Sequence, residues 1–182
     1  MINIDNYEKY LADIIGENKI DTAIIGDTNG STYIIVSGDK NVEQPQDFKI
    51  IKASHQGGTL VLFPEDIFFT WISSENKLPG ILMDVFSFLT NHGLPIRIDN
   101  NDICLKDKKL FGTMSYEIKP DMWYGGMFFS FKPNISIIRQ ICDKPMVKIP
   151  NGLPDHITPD MIRKLCESLC EKYNLKLYGG DQ

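Results

Sequence analysis

Between residues 22 and 72 the chain alternates short apolar runs with turn residues: TAIIG, STYIIVS, FKIIKA, TLVLF and IFFTWI, broken by residues 27–30, 38–40 and 64–66. Runs of β-branched and aromatic residues bounded by Gly, Pro, Asn and Asp are the pattern of strands, so this half reads as sheet. The period then changes. Ile81, Leu82, Val85, Phe86 and Leu89 recur at three- and four-residue spacing, which predicts a helix over 80–89 that stops near Gly93 and Pro95. Strand patterns resume in PIRID, DICLKD, LFGTMSYEI and MWYGGMFFSF, a second sheet segment after the helix. Ile135, Ile138 and Ile141 mark a short helix. Thr158-Pro159-Asp160 is a cap followed by proline at the first turn, and it opens a last helix that runs to about Tyr173. Strands, a covering helix, strands again and a terminal helix make an α+β class.

Composition narrows this picture. A chain of 182 residues, 42% apolar and 24% charged, can bury a self-sufficient core, so one domain over 1–182 is expected. Its net charge of -5 lacks the basic balance of a phosphate-backbone binder, which argues against nucleic acid as a partner. Asp5, Glu8, Lys9 and Asp13 interrupt any apolar run long enough for a signal peptide or membrane span, so a cytoplasmic protein with no membrane partner is expected. Cys104, Cys142, Cys166 and Cys170 form no dense framework and read as reduced thiols. Cys166 and Cys170 share a helix face with Ile162, Leu165 and Leu169, and Cys104 lies within a strand pattern. Core packing is the plain reading of all three.

Two segments are candidates for chemistry. Ser54-His55-Gln56-Gly57-Gly58-Thr59 joins two predicted strands, and its paired glycines permit a close backbone approach to a ligand as readily as a tight turn. Asn101-Asp102 and, after a lysine-rich stretch, Lys109-Leu110-Phe111-Gly112-Thr113 form the second. If 102–105 and 110–115 pair as strands, residues 106–109 are the hairpin turn between them. On spacing alone those lysines are a solvated turn.

Taken together and in order, these segments resemble the catalytic domain of the lipoate-protein ligase, biotin-protein ligase and octanoyltransferase family. Gly57-Gly58-Thr59 resembles its Ser-Gly-Gly-Gly loop, Asn101-Asp102 its Arg-Asn-Asp strand, Lys109 to Gly112 its Lys-x-x-Gly segment, and Trp123-Tyr124-Gly125-Gly126-Met127 its His-His-Gly-Thr strand. Lys52 and Ala53 stand where the ligases carry paired arginines, Gln56 at the first glycine, and Tyr124 at the histidine before Gly125. The resemblance implies a mixed, mostly antiparallel sheet with covering helices, of the class II aminoacyl-tRNA synthetase kind, with no C-terminal accessory domain.

It also implies a reaction. ATP with Mg²⁺ would activate lipoate, octanoate or biotin as an acyl-adenylate, and a lysine of a lipoyl or biotinyl acceptor domain would attack it. Lys109 would stabilise the developing negative charge. Gly57, Gly58, Thr59, Asn101, Asp102, Gly112 and Thr113 would bind the acyl-adenylate, Asp102 facing the nucleotide or its Mg²⁺. Leu60, Leu62, Met114 and Phe128 would line the acyl slot. Two alternatives stand beside this one. An ATP-independent octanoyl or lipoyl transferase would use Cys142 as nucleophile, although Asp143 beside it disfavours a thiolate. A non-catalytic binding module would retain the fold with an altered glycine loop.

Overall fold

The computed structural model describes residues 2–37, 47–53, 59–141 and 149–179. Its first elements are β1 (Ile2–Asn3), a short 3-10 turn, α1 (Tyr7–Gly16), β2 (Thr22–Asp27), β3 (Thr32–Ser37), β4 (Phe48–Ala53), β5 (Leu60–Leu62) and β6 (Ile67–Ser73). Then come α2 (Leu78–Asn91), β7 (Ile96–Asp99), β8 (Asp102–Leu105), β9 (Lys108–Phe111), β10 (Thr113–Lys119) and β11 (Met122–Phe129). The chain continues through α3 (Ile135–Ile141), β12 (Ile149–Pro150), α4 (Pro159–Lys172) and β13 (Lys176–Leu177). The class is α+β, mixed and mostly antiparallel, as the sequence indicates.

A large sheet in the order β1-β2-β6-β11-β10, with β13 also pairing β2, divides the molecule. Its central strands are buried on both faces, because side chains alternate between two separate cores. Ala23, Ile25, Phe69, Trp71, Met127 and Phe129 point to one side, where α2, α4 and strands β8 and β9 cover them. Ile24, Phe68, Ile72, Tyr124 and Phe128 point to the other, against α1 and the sheet β4-β3-β5. A third cluster, with Ile34, Val36, Val61 and Phe63, seats α3 on the far side of that smaller sheet. Cys104, Cys166 and Cys170 are buried, and burial pushes the Cys170 thiol up to about 12. Among the described residues no helix is long and apolar enough to cross a membrane.

The structure corrects the sequence reading in three places. The half read as sheet is preceded by α1, whose Tyr7, Leu11 and Ile14 are buried at helical spacing. The run LFGTMSYEI is not one strand: it breaks at Gly112 into β9 and β10, which belong to different sheets. Lys108 and Lys109 lie in β9 rather than in the turn, which shrinks to Lys106 and Asp107. Lys106 has a φ of 55°, a left-handed conformation that a two-residue hairpin turn favours.

One buried carboxylate fastens the turn before β6 to the end of β11. Asp66, 0% exposed, accepts hydrogen bonds from the Phe63 N–H at 2.9 Å, the Phe131 N–H at 3.0 Å and the Ser130 hydroxyl at 3.1 Å. Burial outweighs these donors and raises its pKa from 3.8 to about 6. Because the folded state then binds the proton more tightly than the unfolded chain, this group adds stability as pH falls from about 6 toward 4 and loses it as pH rises. Urea midpoints measured from pH 7 down to 4.5 are expected to show most of that component, on the order of 3 kcal/mol when complete, and Asp66→Asn is expected to remove it.

Candidate functional site

The second candidate segment folds around two consecutive left-handed residues. Asn100 and Asn101 have φ of 51° and 67° and join Asp99 to its partner Asp102, the geometry of a type I′ hairpin, which asparagine tolerates. The Thr113 hydroxyl donates to the Asn101 carbonyl at 2.7 Å, tying the turn to the start of β10. Across β8, Ile103 pairs with Phe111 and Cys104 with Lys109, so Leu110 is an extra residue on β9. Such a bulge bends a strand and re-aims the side chain beside it.

That side chain is Lys109. Its Nζ lies 2.8 Å from Asp102 Oδ1, with 35% of the lysine and 20% of the aspartate side chain exposed. The pair runs over Gly112. A Cβ there would collide with Lys109 Nζ, lie 2.7 Å from its Cε and 3.0 Å from Asp102 Oδ1. The Lys-x-x-Gly spacing therefore has a local cause: the glycine leaves room for the ammonium to cross the chain. The result is a cation that is held in place beside a carboxylate and still reaches solvent.

Five of the residues singled out from the sequence, Asn101, Asp102, Lys109, Gly112 and Thr113, are thus neighbours. Thr113 spends its hydroxyl on the Asn101 backbone. Thr59 is half-buried and precedes β5; Gly57, Gly58 and Cys142 lie outside the described residues. Leu60, Leu62, Met114 and Phe128 belong to one apolar cluster together with Ala53. The two ends of the glycine segment, Ala53 and Leu60, therefore pack into the same cluster as Met114, two residues beyond Gly112. Within it Leu62 and Phe128 are buried, while Leu60 and Met114 are half-exposed.

No protein-family model matches the sequence, and no curated protein sequence matches it. Solved structures do. The bipartite lipoate protein ligase of Thermoplasma acidophilum aligns with a TM-score of 0.71 at 13% identity over 96% of this chain and 82% of its own. A lipoate-protein ligase A bound with ATP gives 0.67 at 12% identity over 87% of this chain and 75% of its own. The fold is that of the lipoate-protein ligases. P. falciparum LipL1, solved with lipoate, gives 0.65 at 15% identity over 94% of this chain, which spans 54% of that longer protein.

Within this lipoate-ligase fold, Tyr124 is a packed residue. Its hydroxyl lies 2.7 Å from that of Tyr7, its ring 5.3 Å from Tyr116, and burial pushes its pKa well above the usual tyrosine value. Burial raises Tyr116 to about 12. Tyr7 escaped the sequence reading because its partner is 117 residues away and nothing local marks a buried tyrosine pair.

Proposed function

We propose that this protein joins lipoate or a related small carboxylic acid to a lysine of an acceptor protein through an acyl-adenylate. The observation that carries this reading is the Lys109 ammonium, fixed by Asp102 across the bare Cα of Gly112 and open to solvent. A pre-positioned cation suits a reaction in which negative charge develops on carboxylate and phosphate oxygens. What is known of other proteins with this fold points the same way: the structures include one with lipoate, one with ATP and one described with its E2 lipoyl domain.

In the first step a carboxylate oxygen attacks the α-phosphorus of ATP and pyrophosphate leaves. In the second the acceptor amine attacks the acyl carbonyl, the C–O bond to phosphate breaks and AMP departs. Lys109 donates to the oxygens on which charge accumulates in both steps. Asp102 holds Lys109 in the resting site, and the Asn100-Asn101 turn, fastened by Thr113, sets where Asp102 begins. Leu60 and Met114 present the apolar surface for the acyl tail, and Gly57, Gly58 and Thr59 would wrap the adenylate. Among the described residues no three His, Cys, Asp or Glu side chains group as a metal site. Asp102 would therefore hold Mg²⁺ as a single carboxylate beside phosphate oxygens and water, the sparse protein ligation this ion accepts. The ion would shield phosphate charge.

Incubation with ATP and a panel of lipoate, octanoate and biotin, with and without a lipoyl or biotinyl domain, tests this by intact mass. The acceptor is expected to gain one acyl mass only when ATP is present. Transfer from a thioester donor without ATP, abolished by Cys142→Ala, would replace the ligase with the transferase; no mass change under any condition would leave a binding module. Docking of the acceptor adds a further expectation. Lys106 and Lys108 are exposed at the hairpin beside Lys109, and lipoyl-type acceptors that are acidic would be steered there. Lys106→Gln with Lys108→Gln is expected to slow acceptor association roughly three- to tenfold at low ionic strength, with the difference closing in 0.5 M salt. An unchanged low-salt rate in stopped-flow measurements would remove these lysines from the docking surface.

A further inference from the structure

Residues 149–153 run along what would otherwise be the open edge of β9. β12 pairs with β9 in parallel, Ile149 opposite Lys108 and Pro150 opposite Lys109, and the Asn151 N–H donates to the Lys109 carbonyl at 2.7 Å. Proline, with no N–H to offer, is tolerated here because β12 is the outer strand of its sheet. The segment is anchored immediately afterwards. Leu153 is buried in the main core and its N–H donates to the Ser130 carbonyl at 2.8 Å. Between the two anchors, a Cβ on Gly152 would collide with the Phe131 carbonyl and lie 2.8 Å from Pro133 Cδ. Ser130 and Phe131 are in turn the groups that Asp66 holds.

The bulge explains why such a fastening is needed. At Leu110 the β8 and β9 ladder slips by one residue, which loosens pairing on that side of β9 next to Lys109. Backbone contacts on the opposite edge compensate. We infer that residues 149–153 form a clamp that fixes the backbone at Lys109 and so aims its ammonium across Gly112 at Asp102, with Gly152 and the Asn151 N–H as positioning elements. Asp66 acts at one remove, by holding the Ser130 and Phe131 segment against which Gly152 is pressed. The inference rests on Lys109 as the charge-stabilising group, and its test is chosen to be readable whether or not that role holds.

Two variants address the clamp. Gly152→Ala forces the segment off Phe131, and Asn151→Pro deletes the N–H that donates to the Lys109 carbonyl while leaving the Leu153 anchor. The first readout is labelling of lysines by an amine reagent followed by peptide mass spectrometry, which needs no substrate. Lys109 is expected to label several-fold faster in both variants when normalised to Lys164, a surface lysine paired with Asp160 on α4. The second is steady-state acyl transfer with ATP and lipoate, in which kcat is expected to fall about tenfold or more with the KM for ATP and acid little changed. Faster Lys109 labelling in the variants, alongside a wild type that proves inactive, would support the clamp and leave only the ligase reading in difficulty. If Gly152→Ala unfolds, Asn151→Pro decides alone. Unchanged labelling and unchanged kcat, with only a lower unfolding temperature, would overturn the inference and make the segment ordinary edge packing.

Discussion

Lys109→Ala is expected to lower ATP-dependent acyl transfer by roughly 100- to 1000-fold, the usual effect of removing one pre-positioned donor from a charge-stabilising site. Stability is expected to move little. The ion pair with Asp102 is partly exposed on both sides, and pairs in that setting contribute about 0–1 kcal/mol. The Asp102 carboxylate, 20% exposed, can be solvated, and Gly112 simply loses the side chain that crossed it. Initial rates and thermal unfolding on the same preparations separate the two effects. A large drop in unfolding temperature with a small drop in rate would mean that Lys109 is a structural tie. Lys109→Arg is expected to rescue poorly, because the planar guanidinium is wider than an ammonium and must still pass over Gly112.

Gly125→Val is expected to show the reverse signature, a large loss of stability at a residue with no part in the chemistry. Gly125 sits opposite Trp71 in the large sheet, and the indole lies directly on its Cα: an added Cβ would collide with the ring carbons and come within 2.5 Å of Nε1. Trp71 is 2% exposed, among the largest fully buried side chains, and packs tilted on Phe69 at 5.1 Å. The ring has no solvent side to retreat to. Overpacking of this kind costs about 3 kcal/mol or more, which in a domain of this size lowers the unfolding midpoint by roughly 6–12 °C. The neighbouring Gly126→Ala serves as the control. Its nearest neighbours would be the Tyr124 hydroxyl at 3.1 Å and Thr70 Cγ2 at 3.2 Å, which a small shift relieves. Equal effects at the two positions would show that the indole does not depend on the missing Cβ.

Most strands were legible because burial on both faces of the large sheet leaves dense β-branched and aromatic runs such as IFFTWIS, bounded by turns. α4 was legible from its ends: Thr158 does cap it, accepting the Met161 N–H at 3.3 Å. α1 was obscured by its charges. Lys9 is exposed and Glu8 and Asp13 are half-buried, while Tyr7, Leu11 and Ile14 are buried at helical spacing, and reading the segment for membrane character alone passes over that pattern. The start of β9 was misjudged because exposed strand positions carry lysine as easily as turns do, whereas β8 ends at Leu105 as its pattern indicates.

The candidate site was legible only as a resemblance. Spacing alone makes Lys109 a turn residue, and three features that prevent this act at a distance: the bulge at Leu110, the left-handed Asn100-Asn101 pair and the edge pairing by residues 149–151. The asparagine pair is a local turn signal, but the bulge and the edge pairing leave no local mark in the sequence. The departures at Lys52, Gln56 and Tyr124 are likewise visible as letters, but only the structure shows that Tyr124 is committed to Tyr7 and the core.

The ligase chemistry turns on a mixed anhydride formed before any acceptor arrives, and isotope exchange between pyrophosphate and ATP reads that step alone. The wild-type chain with ATP, Mg²⁺ and labelled pyrophosphate is expected to make labelled ATP when lipoate or a related acid is added, and not when it is omitted. No exchange above background with any acid of the panel, from protein shown to be folded, would contradict the ligase.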